Sequence, residues 1–563
     1  MNHADPMTGA QLILKVLEDE GVDVVFGYPG GAIMPLYDAL YGHSLRHILT
    51  RHEQGAAFAA GGFARSTGRV GVCFATSGPG ATNLVTGLVD ALMDSVPIVA
   101  ITGQVRTVLM GTDGFQEADV TAITHTATKR NVCVRSVDDL ERSLRAAFRI
   151  ARGPRPGPVL VDVPTDILKA TLKNPSPPRE PQARRVPAAP SRDAIRQAAD
   201  LIVAAARPVL IVGGGARTSD AVREFRELCA ALRAPHTATI NGLGCAHPDD
   251  PRFLGMLGMH GWKAANLAVA QADLILALGM RFDDRVTGRT DRFAQKAKIV
   301  HADIDEAEFD KIIHADVRLH GDLRTSLRAL IDELDRRPLP SFDSWSREAR
   351  ALGAPPPRDH TEHSNLSATD VLDALVAAAP ADTIITTDVG QHQMWMAQRV
   401  RPVDPRSFIT SAGLGTMGFG VPSAVGAQFG NPERTVIAVC GDGGFQMTLN
   451  ELATIRRYGL PVKILIIDNQ RLGMVRQWQE LFYERRYSAV DLTDNPDFTA
   501  LAGAFGIRGE SIASAPELPG ALDRFLRLRE PALLHCACHP MENVWPIIPP
   551  GGATTEAMES ASA

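Results

Sequence analysis

The sequence predicts an α/β fold: three doubly wound parallel-sheet domains in one chain. Three observations lead there. At 563 residues the chain is too long for one hydrophobic core. Two stretches rich in proline and charge, 174–193 and 336–364, lack hydrophobic periodicity and read as linkers. Elsewhere, short β-branched apolar runs alternate with stretches of helical period, the mark of parallel layering. The expected domains are therefore 1–173, 194–335 and 365–548, followed by a tail, 549–563.

Each block shows the pattern in turn. In the first, residues 70–75 read as a strand that enters the turn TSGPGATN, then a helix, then a second strand at 97–101. The middle block opens with a strand at 208–212 followed by Gly213, Gly214 and Gly215. In the third, the strand 436–440 leads into GDGGFQ, and Phe445, Leu449, Leu452 and Ile455 then recur at helical spacing before a strand at 461–467. The first and third blocks share a layout of strand, glycine turn, helix, proline and strand. It ends in a polar turn holding Gln104 in one block, and Asn469 and Gln470 in the other. This is a weak internal repeat, of a kind that unrelated doubly wound domains also show.

Composition narrows the function classes. Hydrophobic residues make up 45% and charged residues 22%, ordinary for a soluble protein. The net charge of -6 gives no electrostatic reason to expect nucleic acid or an anionic membrane as partner. No segment reaches the ~18 uninterrupted apolar residues of a membrane span. The stretch Met1 to Gln11 carries Asp5 and no apolar or Arg-rich run, so a cytoplasmic location is expected. The seven cysteines, Cys73, Cys133, Cys229, Cys245, Cys440, Cys536 and Cys538, lie mostly in apolar runs and read as buried free thiols. Cys536, Cys538 and His539 suggest a metal site at first sight. Leu534, Cys536 and Cys538 alternate at strand period, however, with no second Cys/His pair nearby, which favours a core strand.

The most informative segment is 441–470. Asp442 follows one expected strand and Asn469 the next, so both side chains emerge at the carboxyl ends of neighbouring parallel strands, where open α/β sheets bind ligands. The helix opened by the glycine turn offers free N–H groups and a favourable dipole to an anion. An Asp carboxylate, an Asn amide oxygen and a loop carbonyl are hard donors. With phosphate oxygens and water they complete the octahedron that Mg²⁺ demands. Gly-Asp-Gly alone is a common turn, but with Asn469 across a helix and a strand it resembles the thiamin-diphosphate fingerprint.

Thiamin chemistry needs a proton removed from a carbon acid too weak for an ordinary side chain. A carboxyl group hydrogen-bonded to the cofactor's aminopyrimidine ring lets the ring's own nitrogen act as base. Glu53, in RHEQGAAFAA, precedes a small-residue helix and is the candidate. Alone it would read as a solvated helix-start residue. Beside the metal motif it reads as the activating acid.

Over nearly its whole length the chain resembles the acetohydroxyacid (acetolactate) synthase catalytic large-subunit family. The carrying segments include GVDVVFGYPGGA, RHEQGAAFAA, ATSGPGATNLVTGL, GTDGFQE, RPGPVLVDVP, GMHG, RFDDRVTG, GQHQMW, GLGTMGFG, GMVRQWQELFY and PIIPPGG. RFDDRVTG together with MVRQWQ points to the synthase rather than to relatives such as pyruvate oxidase. The resemblance implies a pyrimidine-binding first domain, a central FAD-binding Rossmann-like domain and a diphosphate-binding third domain. It implies that Glu53 activates the aminopyrimidine and that Asp442, Asn469 and the backbone carbonyl of Arg471 hold Mg²⁺. Gln391, His392, Gly415, Gly441, Gly443 and Gly444 would hold the diphosphate, and Met417 would wedge the cofactor into its bent shape. Gly31 and Gln116 would line the reaction centre, Arg285 would bind the carboxylate of a second 2-keto acid, and Trp478 would wall the pocket for the extra methyl of 2-ketobutyrate. FAD would lie on Arg155, Gly213, Gly214, Gly215, Met259, His260, Arg281, Asp303 and Asp322. On residues alone, Arg285 reads as an ion-pair partner of Asp283 or Asp284, and Trp478 as core packing.

The implied reaction decarboxylates pyruvate and transfers the hydroxyethyl unit to pyruvate or 2-ketobutyrate, the first common step of valine, leucine and isoleucine biosynthesis. The implied partners are 2-keto acids, further copies of the chain in a homodimer or tetramer, and a small regulatory subunit. Two positions depart from the family pattern. Arg106 stands where proline is usual, and Thr165 where lysine is usual near the mouth of the substrate channel. Arg106 is expected to restore part of the positive potential lost at Thr165. These departures leave room for a specialised acetyl-transferring or oxidase-type thiamin paralogue.

Overall fold

The computed structural model describes residues 6–177, 179–180, 189–356 and 366–561. Its frame is three six-stranded sheets, all parallel within the sheet. The first takes Val24–Gly27, Arg46–Leu49, Gly71–Ala75, Ile98–Gln104, Arg130–Cys133 and Val159–Pro164, arranged in space as second, first, third, fourth, sixth, fifth. The third takes Ile384–Thr387, Phe408–Ile409, Val436–Gly441, Lys463–Asp468, Arg508–Ile512 and Ala532–Ala537, in the same spatial order. The layout shared by the first and third blocks thus extends to strand order. The central sheet differs: Pro208–Val212, His236–Ala238, Phe253–Met256, Leu274–Leu278, Lys298–Asp303 and Val317–His320 run third, second, first, fourth, fifth, sixth.

In each sheet the strand order reverses beside the first strand, which opens a crevice beyond the carboxyl ends of the two strands on either side. In the first sheet these strands end at Gly27 and Ala75, in the third at Thr387 and Gly441, and in the central sheet at Val212 and Leu278. Gly31, Gln391, His392, Asp442 and Gly213 to Gly215 follow these ends, whereas Glu53 and Asn469 follow the strands Arg46–Leu49 and Lys463–Asp468. Cys536 is buried on strand Ala532–Ala537, between the strands Lys463–Asp468 and Arg508–Ile512, as a core-strand cysteine should be.

The first and third sheets meet through two helices of small residues, Glu53–Thr67 and Gly420–Gly430. A Cβ on Gly62 would collide with the Ser423 carbonyl, and one on Gly426 with that of Ala59. The helices therefore touch backbone to backbone. Residues of both helices and of the strands beside them form one apolar cluster.

The expected linker 336–364 is not all connector. Helix Asp343–Ala351 lies within it and belongs with the central sheet. Trp345, 4% exposed, donates its indole N–H to the Pro208 carbonyl at 3.0 Å, and Ala349 packs beside it. The expected tail at 549–563 also folds back. The Arg289 N–H donates to the Gly552 carbonyl at 3.0 Å, and Gly288 bridges Ala553.

One charged cluster ties the three sheets together. Arg65 reaches Asp90 at 2.8 Å and Asp94 at 3.1 Å, with all three side chains essentially buried. Asp94 also accepts from Asn241 of the central unit at 3.0 Å and from the Ala412 and Gly413 N–H groups of the third at 3.0 and 2.9 Å. Its neighbour Asp90 accepts from the Ser411 hydroxyl at 2.5 Å, and the Phe419 ring lies 4.8 Å from the guanidinium carbon. Asp94→Ala leaves buried N–H donors and part of a buried cation without partners. The expected loss is about 3–5 kcal/mol. It is read as a lowered chemical-denaturation midpoint with earlier proteolysis near 411–413. An unchanged midpoint would mean that apolar contact alone holds the units together.

Candidate active site

Over the third sheet, Asp442 stands at the end of strand Val436–Gly441 and Asn469 just beyond Lys463–Asp468. Both are buried, at 3% and 6% exposure. The Asn469 amide donates to Gln391 Oε1 at 3.2 Å, and Gln391 donates in turn to Gln477 and to the Glu542 carbonyl, each at 2.9 Å. A Cβ on Gly473 would strike both Gln391 and Asn469, so only glycine leaves this cradle open. Burial drives the His392 pKa down to about 4, so the ring is neutral at physiological pH. Its Nε2 is buried without a hydrogen-bond partner among the described residues.

Asp442 does not stand alone. Burial, and then the Asp468 carboxylate beside it, push its pKa up to about 8. Burial also opposes ionisation of Asp468, but His535, at 2.9 Å, and the Gln470 N–H hold that carboxyl below its usual range. Two desolvated carboxylates beside an amide oxygen form a hard-oxygen donor set whose charge suits a divalent cation. Arg471 lies on the same loop, with its side chain paired to Asp491.

Met417 arrives on the loop after Ser411. Its terminal methyl lies 3.6 Å from where a Gly443 Cβ would be. The loop is pinned by Asp388, which accepts from the N–H groups of Val389, Gly418 and Gly420 at 2.7, 2.9 and 3.2 Å. Gly415 and Gly418, at φ +69° and +87°, supply turns that residues with a Cβ rarely adopt.

The corresponding crevice of the first sheet holds Glu53. It opens helix Glu53–Thr67, is 9% exposed, and accepts from the Asn83 amide at 3.0 Å. Its other oxygen lies 3.3 Å from the Cβ position of Gly80, in the turn after strand Gly71–Ala75. Gln116 faces the same turn, since a Cβ on Gly78 would sit 2.7 Å from its carbonyl. Gln116 adopts φ +59° in a loop organised by Glu117, whose carboxylate accepts from the N–H groups of Gly111 and Gly114. Those backbone bonds hold the Glu117 carboxyl below the usual range. Gly31 has open space where a Cβ would point. Thr165 caps this region, its hydroxyl shared between the carbonyls of Ala32 at 2.8 Å and Gln104 at 3.0 Å. Burial opposes ionisation of Asp166, but the Thr107 hydroxyl and N–H, with a smaller contribution from the Arg106 charge, hold its carboxyl below the usual range, so part of the Arg106 charge already faces a carboxylate.

In the central crevice the Gly215 N–H donates to the Gly279 carbonyl at 2.9 Å, and Gly213 packs on the same carbonyl. Gly214 lies against Asn241. The His260 ring is bonded to the Pro546 carbonyl at 3.0 Å and kept neutral by burial, with a pKa near 4. Met259 accepts weakly from Arg285 at 3.5 Å through its sulfur. Burial raises the Asp303 carboxyl to about 6, and Arg281 is half-buried beside Phe282. Two expected ligands have structural partners. Arg155 crosses from the first unit to pair with Asp305 at 2.8 Å and Glu308 at 2.6 Å. Asp322 caps helix Leu323–Leu334. Arg285 is exposed, with a loose 3.7 Å approach to Asp284 beside its contact with Met259, and Trp478 stacks edge-on against Phe482 at 5.5 Å.

The structure thus brings together Gln391, His392, Met417, Asp442 and Asn469 in one crevice, and Glu53 and Gln116 about the turn 77–80 in another, with Gly31 beyond the end of strand Val24–Gly27. Within one chain the two crevices belong to different sheets. Sequence reasoning missed Asp388, Asp468 and Asn495. Only Asp468 carried a signal, as the neighbour of Asn469.

Comparison with known proteins agrees with this division. Residues 7–123 match the N-terminal TPP-binding domain of thiamine pyrophosphate enzymes, 195–330 their central domain and 388–536 their C-terminal TPP-binding domain. The chain is 50% identical over 567 aligned positions to the acetolactate synthase isozyme 2 large subunit of Escherichia coli K12, covering 99% of this chain and 100% of that one. It is 45% identical to a probable acetolactate synthase large subunit of Methanocaldococcus jannaschii, covering 98% and 95%. It is 47% identical to an acetolactate synthase of Mycobacterium bovis, covering 98% and 91%.

The carboxylate pair makes a prediction for metal-free protein. A carboxyl raised in the folded state adds stability below its unfolded pKa, and that stability is lost as pH rises through the folded value. In EDTA the wild type should therefore weaken between about pH 4 and pH 8, by a few kcal/mol at most. Asp442→Asn should flatten that slope, melt higher than wild type at pH 8, and lose the stabilisation that added divalent cation gives. Melting curves with and without EDTA decide it. A variant that melts lower than wild type in EDTA would show that the pair is not under repulsion.

Proposed function

Because the chain belongs to the thiamine pyrophosphate enzymes, within their acetolactate synthase large-subunit family, we propose that it is an acetolactate synthase. It would decarboxylate pyruvate and join the remaining two-carbon unit to a second 2-keto acid, the first common step toward valine, leucine and isoleucine. The observation that carries this reading is the placement of Glu53 and the Asp442–Asn469 pair in equivalent crevices of two sheets with the same strand order. When bound, thiamine diphosphate supplies the electron sink that lets pyruvate lose CO₂ and its two-carbon remainder attack the second keto acid.

The chain's own residues bind, orient and exclude water. Asp442 and Asn469, with the backbone of Arg471, hold Mg²⁺. Gln391, His392 and the glycines Gly441, Gly443 and Gly444 meet the diphosphate, and Met417 supports the cofactor beside Gly443. Glu53, steadied by Asn83, exchanges a proton with the aminopyrimidine nitrogen. Gly31 leaves room for the reacting carbons, and Gln116 faces them. Arg285 offers an exposed guanidinium to the carboxylate of the second keto acid, and Trp478 supplies an apolar wall. FAD fits the central crevice through Gly213, Gly214, Gly215, Met259, His260, Arg281 and Asp303. Arg155 and Asp322 serve that crevice by fixing its walls.

A second copy completes the site. Phe115, 90% exposed, precedes Gln116, and Val108, 67% exposed, lies in the turn Thr107–Leu109 before the same loop. Met447 and Val475, 59% and 50% exposed, lie near the third-sheet crevice. Apolar groups of this size left in water mark an association surface, and facing one crevice with the other in a homodimer covers both sets. A small partner subunit, which we take to be regulatory, accords with the large-subunit names of the relatives. Among the described residues no helix is long and apolar enough to cross a membrane, and we place the enzyme in the cytoplasm.

Product analysis tests the reading. Purified protein given pyruvate, thiamine diphosphate and Mg²⁺ should release acetolactate, and only when FAD is also supplied or retained. Acetate, acetyl phosphate or acetaldehyde without acetolactate would overturn it in favour of another thiamin chemistry.

The Gln116 loop gives a second expectation. Glu117→Gln removes the charge that gathers its N–H groups, so kcat/KM for pyruvate should fall about tenfold with an unchanged melting temperature. Unchanged kinetics would mean that the loop holds its shape without that carboxylate.

A further inference from the structure

Asn495 lies 53 residues beyond Asp442, in the loop between Asp491 and Asp497, and is half-buried. Its two amide hydrogens go to two different carboxylates, Asp442 Oδ2 at 2.8 Å and Asp468 Oδ1 at 3.1 Å. Its orientation is set from behind. Gln446 donates to Asn495 Oδ1 at 2.8 Å and to the Asp442 carbonyl at 3.2 Å, and the Asn495 N–H is held by the Leu492 carbonyl at 3.1 Å. The loop is in turn laced to the Asn469 side of the site. The Leu472 N–H donates to the Val490 carbonyl and the Leu492 N–H to that of Gln470, both at 2.9 Å. Asn495 therefore cross-links the two strand ends from which the metal-binding side chains emerge.

We propose that Asn495 is a positioning residue that makes Asp442 a one-oxygen ligand and so selects Mg²⁺ over larger cations. The inference rests on the cofactor reading above and extends it to a residue outside the metal motif. With Oδ2 engaged by an amide donor, Asp442 has Oδ1 to give a cation. A single carboxylate oxygen suits Mg²⁺, which requires a near-ideal octahedron at about 2.0–2.1 Å. Ca²⁺ takes roughly 6–8 oxygens at longer distances and readily accepts both oxygens of one carboxylate. Removing the amide frees Oδ2 for such chelation. It also removes the one donor that separates the Asp442 and Asp468 charges, which weakens any small cation that relies on a fixed geometry.

The test uses full-length protein stripped with EDTA and titrated with MgCl₂ or CaCl₂ in the presence of thiamine diphosphate. Uptake is followed by the fluorescence of the five tryptophans. For Asn495→Ala, the Mg²⁺ dissociation constant should rise by about 10–100-fold, as for other outer-shell partners. The Ca²⁺ constant should change far less, so that the Ca²⁺-to-Mg²⁺ ratio falls by about tenfold or more. Gln446→Leu, which only releases the orientation of the Asn495 amide, should move the ratio the same way by a smaller factor. Equal weakening of both ions in Asn495→Ala, as a merely structural loss would give, overturns the inference, and so does an unchanged ratio. Wild-type protein that takes up thiamine diphosphate with no dependence on either ion would instead overturn the cofactor reading itself, and this inference with it.

Discussion

The arrangement of the molecule hangs on one buried carboxylate, Asp94. It receives a guanidinium and an amide from two units and two backbone N–H groups from the third. A charge so enclosed is stable only while every donor is present, because a single missing partner leaves a desolvated ion. The cluster therefore acts as a joint requirement: the three sheets must all be in place for any one contact to be worth having. It also has a local consequence. The N–H groups it holds, those of Ala412 and Gly413, begin the loop that ends at Met417, so the geometry between the sheets sets where the loop enters the third-sheet crevice.

That constraint explains why two sheets of the same strand order divide the chemistry. Each reverses beside its first strand and offers a crevice there, but the turns beyond the strands differ. In the first sheet the turns present a carboxyl, Glu53 packed against Gly80, and open glycine backbone at Gly31. In the third they present hard oxygens and a neutral imidazole, Asp442, Asn469 and His392. The helices 53–67 and 420–430 lock the two sheets at backbone contact within one chain. Such packing fixes the relation of the two sheets.

How much of this was legible in the sequence depends on the range of the interaction. Strands, glycine turns and the Asp442–Asn469 spacing are local, and they fell where periodicity and turn chemistry put them. Glu53 was legible only in combination with the distant metal motif, since a glutamate at a helix start has no local meaning of its own. Asp388 and Asn495 were not legible: each works on partners that the fold alone brings near, Gly418 and Gly420 for one, Asp442 and Asp468 for the other. Helix 343–351 was hidden for another reason. It sits among prolines and charges, and the signal that it is core is a single tryptophan whose partner is a carbonyl over a hundred residues away. Arg155 and Asp322 show the converse, where a resemblance named the residues but the fold gives their side chains an ion pair and a helix cap.

The distribution of unsatisfied groups completes the physical picture. Buried polar atoms ordinarily find partners, and the Asp94 cluster shows how far this chain goes to provide them. Yet His392 Nε2, Thr76 Oγ1 and Thr416 Oγ1 remain buried without a hydrogen-bond partner, and Asp442 and Asp468 face each other as a desolvated pair. All five stand at or beyond the carboxyl ends of strands of the first and third sheets, in the loops or opening helical turns there. Their cost to stability is tolerated where the scaffold is rigid enough to carry it. Arg65 Nε and Nη1 are likewise buried without a hydrogen-bond partner among the described residues, at the joint between units, so this fold carries the cost of enclosed polar groups in two places, where its three sheets meet and beside the groups proposed to bind.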